Sequence, residues 1–286
     1  MRWLITGAGG MLGREVTASL RSAGASGPDL VALDRAGLDI TDTDAVHAAI
    51  GRYRPDVVVN CAAFTAVDQA EAREAEATRV NGDGSAYLAA ACGAWSARLI
   101  HVSTDYVFRG DARTPYFEDD PPGPRTAYGR SKLVGERAVL GRLPNAAVVR
   151  TAWLYGSHGH NFVRTMLGAA ERGESVDVVD DQVGSPTWAA EVADRIVELG
   201  LRPDAGGVFH AVNAGQASWF QFATEIFRIA GADPARVRAI RTRSLPARTP
   251  RPAYTVLGHR RWRDMGIGPP GDWRSALRAA LPGIRP

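Results

Sequence analysis

The chain has 286 residues, 45% hydrophobic and 23% charged, which excludes a disordered chain or a disulfide-dense miniprotein and allows a full core with two lobes. A formal charge of +3 is too small to argue for a nucleic-acid partner, and the pI near 9.1 reflects 34 basic residues of which only Lys132 is a lysine. Cys61 and Cys92 lack metal-ligand spacing, and neither a leader pattern nor a membrane-length apolar run is seen, so a cytoplasmic protein without a membrane partner is expected.

Arg2 to Thr6 is a short apolar run that breaks into Gly7-Ala8-Gly9-Gly10-Met11-Leu12-Gly13, and Arg14 to Ala23 then carries helical periodicity. Strand, glycine turn and helix in this order let the backbone approach a pyrophosphate, whose charge sits at the helix N-terminus. Gly7, Gly10, Met11, Leu12 and Gly13 are therefore candidate cofactor contacts. The next apolar run, Leu30 to Leu33, ends at Asp34, where a carboxylate can meet the adenosine ribose and favour NAD. Arg35 follows and can accept a 2′-phosphate, which keeps NADP open. Leu38 to Asp42 reads as a loop under the adenine, with Asp39 and Ile40 in contact, leading into a helix capped by Thr41 or Asp42.

Asp56 to Asn60 is a buried-strand run, and Ala62, Ala63 and Thr65 at its carboxyl end are candidate cofactor walls. Asp68 to Gly93 is alanine-rich and helical, with Asn81 expected on its surface. Arg98 to Ser103 is a fourth strand; Thr104, just beyond it, is placed to hydrogen-bond a substrate carbonyl. A loop from Arg109 to Arg125 delivers the chain to Tyr128-Gly129-Arg130-Ser131-Lys132, where a phenol and the lone ammonium share one helix face and can run a proton transfer. A neighbouring ammonium is expected to lower the phenol pKa. With a fifth strand over Asn145 to Arg150, the alternation describes an α/β, Rossmann-type doubly wound parallel sheet.

The dinucleotide-binding domain is drawn at residues 1–152 and a smaller, mainly substrate-binding lobe at 153–286, with Gly207 to Val212 returning to the sheet. In the lobe, Asp177 to Gln182 reads as a strand, Ala189 to Leu199 and Ser218 to Ala230 as helices, and 246–252 as a loop. His158 and His160 lack an acidic or sulfur partner and face solvent or substrate rather than metal. Of nine arginines between Arg236 and Arg263, Arg251 is the candidate for a nucleotide diphosphate.

Gly7 to Gly13, Ser103 to Phe108 and Tyr128-x-x-x-Lys132 together resemble the extended short-chain dehydrogenases/reductases. Arg150 to Gly156, Gly159-His160-Asn161-Phe162 and Asp180 to Thr187 resemble, more narrowly, the dTDP-4-dehydrorhamnose reductase family. The resemblance implies reduction of the C4 ketone of dTDP-4-dehydro-L-rhamnose by NADPH or NADH. Tyr128 would be the acid, Lys132 its charged neighbour and holder of the nicotinamide ribose, and Thr104 the carbonyl's hydrogen-bond donor. Asp105, Asn161 and Arg251 would contact the dTDP-sugar, with Trp153 as an apolar plate. Some family members dimerise through Mg²⁺ on glutamates; Glu15 and Glu191 match two positions, but no Glu occurs near Asp272, so no metal and a monomer or weak metal-free homodimer are expected. The rival readings are a reductase or epimerase of another nucleotide-deoxysugar, or an NADP-binding regulatory subunit without catalysis.

Overall fold

The computed structural model describes residues 1–245 and 249–284; part of the predicted loop at 246–252 therefore lies outside the described residues. The first half runs β1 Trp3–Thr6, α1 Met11–Ser22, β2 Leu30–Leu33, α2 Thr43–Tyr53, β3 Val57–Asn60, α3 Val67–Ala72, α4 Glu74–Thr78, α5 Gly84–Ala94, β4 Arg98–Thr104, α6 Ala127–Arg142 and β5 Ala147–Thr151. The second half runs β6 Leu154–Tyr155, α7 Phe162–Glu171, β7 Val176–Val179, β8 Val183–Gly184, β9 Thr187–Trp188, α8 Ala189–Gly200, β10 Gly207–His210, β11 Ala217–Ser218, α9 Trp219–Ile229, β12 Val237–Ile240, α10 Arg260–Asp264 and α11 Trp273–Ala280.

Six strands form one parallel sheet in the order β10-β5-β4-β3-β1-β2. Parallel strands need covered faces, and every residue of β1, β3 and β5 is buried. On one face Leu12, Val16 and Leu20 of α1 pack with Val192, Ile196 and Leu199 of α8 and with Trp262 of α10. On the other, Val46 and Ile50 of α2, Leu88 and Cys92 of α5 and Val139 of α6 cover the sheet. Each such aliphatic side chain contributes about 1.5–3 kcal/mol when fully buried.

The strand order reverses at β1, which lies between β2 and β3, so connections leave in opposite directions and open a crevice at the carboxyl ends of β1 and β3. The glycine turn after β1 and the Cys61 to Thr65 segment after β3 form its edges. A separate core of Tyr155, Val163, Met166, Phe222, Ile226, Trp273 and Leu277 builds the smaller lobe beside that opening. After Trp153 the chain nevertheless returns to the first layer through α8, β10 and α10.

Several sequence expectations change in detail. The 68–93 helix is three segments, broken at Arg73 with φ −129° and interrupted by a π-helical turn over Arg79–Asp83. Asn81 in that turn is fully buried, not on the surface: it accepts from Phe64 N at 2.8 Å and donates to Phe64 O and to Ser131 Oγ. The strand expected at 177–182 ends at Val179, because Asp180 and Asp181 turn out to bond Ser218 and Thr242. Asp42, rather than Thr41, caps α2, while the Thr41 hydroxyl donates to Asp39.

Candidate active site

The crevice is a cleft of about 1250 Å³. Along one side lie Gly7, Gly10, Met11, Leu12, Gly13, Asp34, Arg35, Asp39, Ile40, Ala62, Ala63 and Thr65, and at its far end Thr104, Asp105, Tyr128, Lys132, Trp153 and Arg251. Of the residues assigned from the sequence to cofactor or sugar contact, Asn161 alone stands apart: it is buried as the N-cap of α7, accepting from Arg164 N and donating to the carbonyls of Gly156 and Gly159. Its side chain is engaged in holding the loop, whose Gly159 and His160 do reach the cleft.

The glycine turn fits a dinucleotide by shape and by charge. Gly7 has φ +65°, and a side chain at Gly13 would stand 2.4 Å from the Gly7 carbonyl oxygen. Helix α1 starts at Gly10 without a side-chain cap and without an acidic residue in its first turn. Its N-terminal amides and dipole therefore face the cleft ready for an anion. At the adenine end Asp34 Oδ1 accepts from Gly37 N, whereas the Arg35 side chain is 80% exposed and only 3.7 Å from Asp39.

The reacting end is assembled from β4 and α6. Thr126 caps α6 through Gly129 N, and a side chain at Gly129 would meet the Tyr106 carbonyl at 2.2 Å, so the glycine lets α6 press against the segment after β4. That approach sets the Tyr128 phenol beside Thr104, whose hydroxyl donates to Asp105 Oδ1 at 3.0 Å and accepts from Tyr106 N. Tyr106 supports the Tyr128 ring edge-on at 5.6 Å. Lys132 is buried and its Nζ donates to the Val102 carbonyl at 2.7 Å. Burial dominates the titration of this cluster. It pushes Tyr128 up to about 12, with Thr104 opposing and Asp105 adding, pushes Asp105 up to about 6, and lowers Lys132 to about 8. The phenol is thus raised where a lowering by Lys132 is expected: burial is the largest cause, and the ammonium is turned to a backbone carbonyl.

Trp153 also differs from expectation. It sits at φ +46°, a strained conformation for an indole-bearing residue, and its ring stacks on Trp219 at 3.5 Å and 8°. A side chain at Gly184 would lie 2.6 Å from the same ring. Trp219 therefore covers one face of the indole, and Gly184 leaves room for the ring to lie close to its backbone. Trp153 thus has one face taken by Trp219, which at the start of α9 shares the lining of the cleft. Sequence reading passed over Trp219 because it is one more aromatic on an amphipathic helix.

Several buried polar atoms at this end lack a protein partner: Ser103 Oγ, Thr151 Oγ1 and Arg251 Nη1. All three residues line the cleft, and Arg251 is anchored by its other nitrogen to Asp68 at 2.9 Å. Buried donors without partners suit a polar ligand. Glu191 is bonded to Asn213 and to Gly271 N, and no cluster of three metal-ligating side chains occurs among the described residues. No helix among them is long and apolar enough to cross a membrane.

A parallel sheet with its glycine turn at the switch point, and a Thr, a Tyr and a Lys converging beside it, define an oxidoreductase of the extended short-chain dehydrogenase/reductase class. A family model for the RmlD substrate binding domain matches residues 1–285. A probable dTDP-4,6-dihydroxy-2-methyloxan-3-one 4-ketoreductase of Streptomyces antibioticus is 53% identical over 99% of this chain and 96% of its own. A dTDP-4-dehydrorhamnose reductase of Streptomyces griseus is 51% identical over 99% and 94%. The crystal structure of a Bacillus anthracis dTDP-4-dehydrorhamnose reductase in complex with NADP superposes with a TM-score of 0.91 at 35% identity, covering 98% of each chain. The chain belongs to this RmlD-type, dTDP-4-dehydrorhamnose reductase family.

Proposed function

We propose that the protein uses NADPH to reduce the C4 ketone of a dTDP-activated 6-deoxyhexose, dTDP-4-dehydro-L-rhamnose, to dTDP-L-rhamnose. The observation that carries this reading is the convergence of Thr104, Tyr128 and Lys132 at one end of a cleft whose other end is an uncapped helix N-terminus behind a glycine turn. When bound, the reduced nicotinamide supplies a hydride to the carbonyl carbon. Thr104 and Tyr128 hold the ketone oxygen, and Tyr128 gives it a proton as negative charge develops. A phenol with its pKa pushed up to about 12 carries its proton throughout the neutral range, which suits the acid of a reductive step. Lys132 places positive charge one helical turn from that phenol. Arg251 Nη1 is the donor for the diphosphate, and Trp153 and Trp219 wall the sugar.

A second reading is favoured by the S. antibioticus relative, named for a different 4-keto sugar. The same residues would serve it. Purified protein with NADPH and each dTDP-4-keto-6-deoxyhexose in turn, followed by loss of nicotinamide absorbance, separates the two. Turnover highest with the L-rhamno precursor upholds the first reading; turnover only with another sugar replaces it, and none with any of them sinks the reductase assignment.

NADPH is chosen over NADH on the exposed Arg35 guanidinium, since a charge-assisted contact to a 2′-phosphate is available only to NADP. Arg35→Ala should raise KM for NADPH roughly tenfold and change KM for NADH by less than about twofold. An equal change for both cofactors would place Arg35 outside phosphate recognition.

A further inference from the structure

Tyr128, Lys132 and Glu136 recur at four-residue intervals and form one stripe on α6. Lys132 and Glu136 are 2% and 3% exposed. A buried ammonium tends to lose its proton unless an anion stands nearby. The hydrogen bond of Lys132 goes to a neutral carbonyl, that of Val102, which orients the group without offsetting its charge. The other titratable groups that face it carry no negative charge at neutral pH. The Cys61 thiol, after β3, is pushed up to about 12, His101 on β4 is held well below its ordinary value, and Tyr128 keeps its proton. Asp105 acts on the Tyr128 and Tyr106 side of the site. Glu136 is the anion one turn further along the helix, and it opposes the effect of burial on Lys132.

A buried carboxylate is costly unless it is paired and hydrogen-bonded. Arg150 on β5 reaches across and bonds both carboxylate oxygens, Nε to Oε1 at 2.9 Å and Nη2 to Oε2 at 2.8 Å. Both side chains are almost fully enclosed, at 4% and 3%. Arg150 is fixed in turn by the Phe108 ring at 4.9 Å, the Glu118 carbonyl and His210 of β10, which burial keeps neutral. Positive, negative and positive charges therefore alternate through the interior from the cleft to β5. A pair serving only to join α6 to the sheet would be matched or bettered by apolar side chains.

We propose that Glu136, locked by Arg150, is a positioning residue that keeps Lys132 an ammonium and so sets the upper pH limit of the reduction. The inference rests on the role given to Lys132 in the proposed function. Replacing the carboxylate by an amide removes the anion that favours the charged amine. Lys132 then releases its proton at a lower pH, and the alkaline limb of kcat/KM moves down with it.

Because Lys132 is the one lysine of the chain, an isotope label on the lysine ε-carbon gives a single NMR resonance whose shift reports its titration in the whole protein. Glu136→Gln should lower the midpoint by about one pH unit or more, with the alkaline limb of kcat/KM following, while Glu136→Asp should hold both within a few tenths of a unit. Should Glu136→Gln not fold, the Glu136→Gln, Arg150→Met pair replaces the buried ions by neutral groups of similar bulk, and its midpoint should move in the same direction. An unmoved midpoint in a folded variant overturns the proposal. A lowered midpoint with an unmoved rate limb upholds the hold of Glu136 on Lys132 and overturns the part given to Lys132 in the reaction.

Discussion

Tyr128→Phe should reduce turnover by about two orders of magnitude or more while NADPH affinity stays within about twofold. The substitution removes one oxygen and little else. The ring keeps its edge contact with Tyr106, and the residue remains sealed at the start of α6 under Thr126. What disappears is the donor that, with Thr104, meets the ketone oxygen. Thr104 cannot take over, because an alkyl hydroxyl is a far weaker acid than a phenol. Rates of the parent and variant with the same dTDP-sugar, beside NADPH titrations by fluorescence, check the prediction. Parental turnover in the variant would move the acid to another group.

Gly13→Ala should weaken NADPH binding by about a hundredfold, the second large effect, and lower thermal stability as well. Its added carbon would lie 2.4 Å from Gly7 O and 2.8 Å from Ala8 Cα, both backbone atoms that no rotamer change can move away. The turn must open, and the amides at the start of α1 then lose their common aim at the pyrophosphate. Gly7 cannot readily yield, because it is at φ +65° and packed against the backbone of Ala62. Calorimetric titration with NADPH gives the loss directly. Retained affinity with a lowered Tm would assign Gly13 to packing alone.

Much of the architecture was legible before any coordinates. Short apolar runs alternating with amphipathic helices specify a parallel sheet, because both faces must be covered and each helix needs one buried stripe. The return of β10 to the sheet was legible in the same way, as was the capped start of α9 at Ser218. Individual polar residues were harder to place. Asn81 reads as a surface residue because it lies in an alanine-rich helical stretch, yet a π-helical turn aims it at Phe64 and Ser131. Asn161 sits in a family-like motif, which drew attention to it for the sugar, whereas its amide holds the loop before α7. Trp153 was read as a free aromatic face until Trp219, sixty-six positions along the chain, was seen stacked on it.

The sequence by itself determined the glycine turn, the strand-and-helix alternation and the Tyr128 to Lys132 spacing, since each is a local pattern set by backbone sterics or by one turn of helix. The tertiary structure alone decided which charges are desolvated and by whom they are answered. Arg150 meets Glu136 and Arg251 meets Asp68 across breaks of 14 and 183 residues, and the phenol lies above its ordinary pKa because the fold has removed water from around it. Such effects depend on what packs at a point in space, and no periodicity along the chain records them.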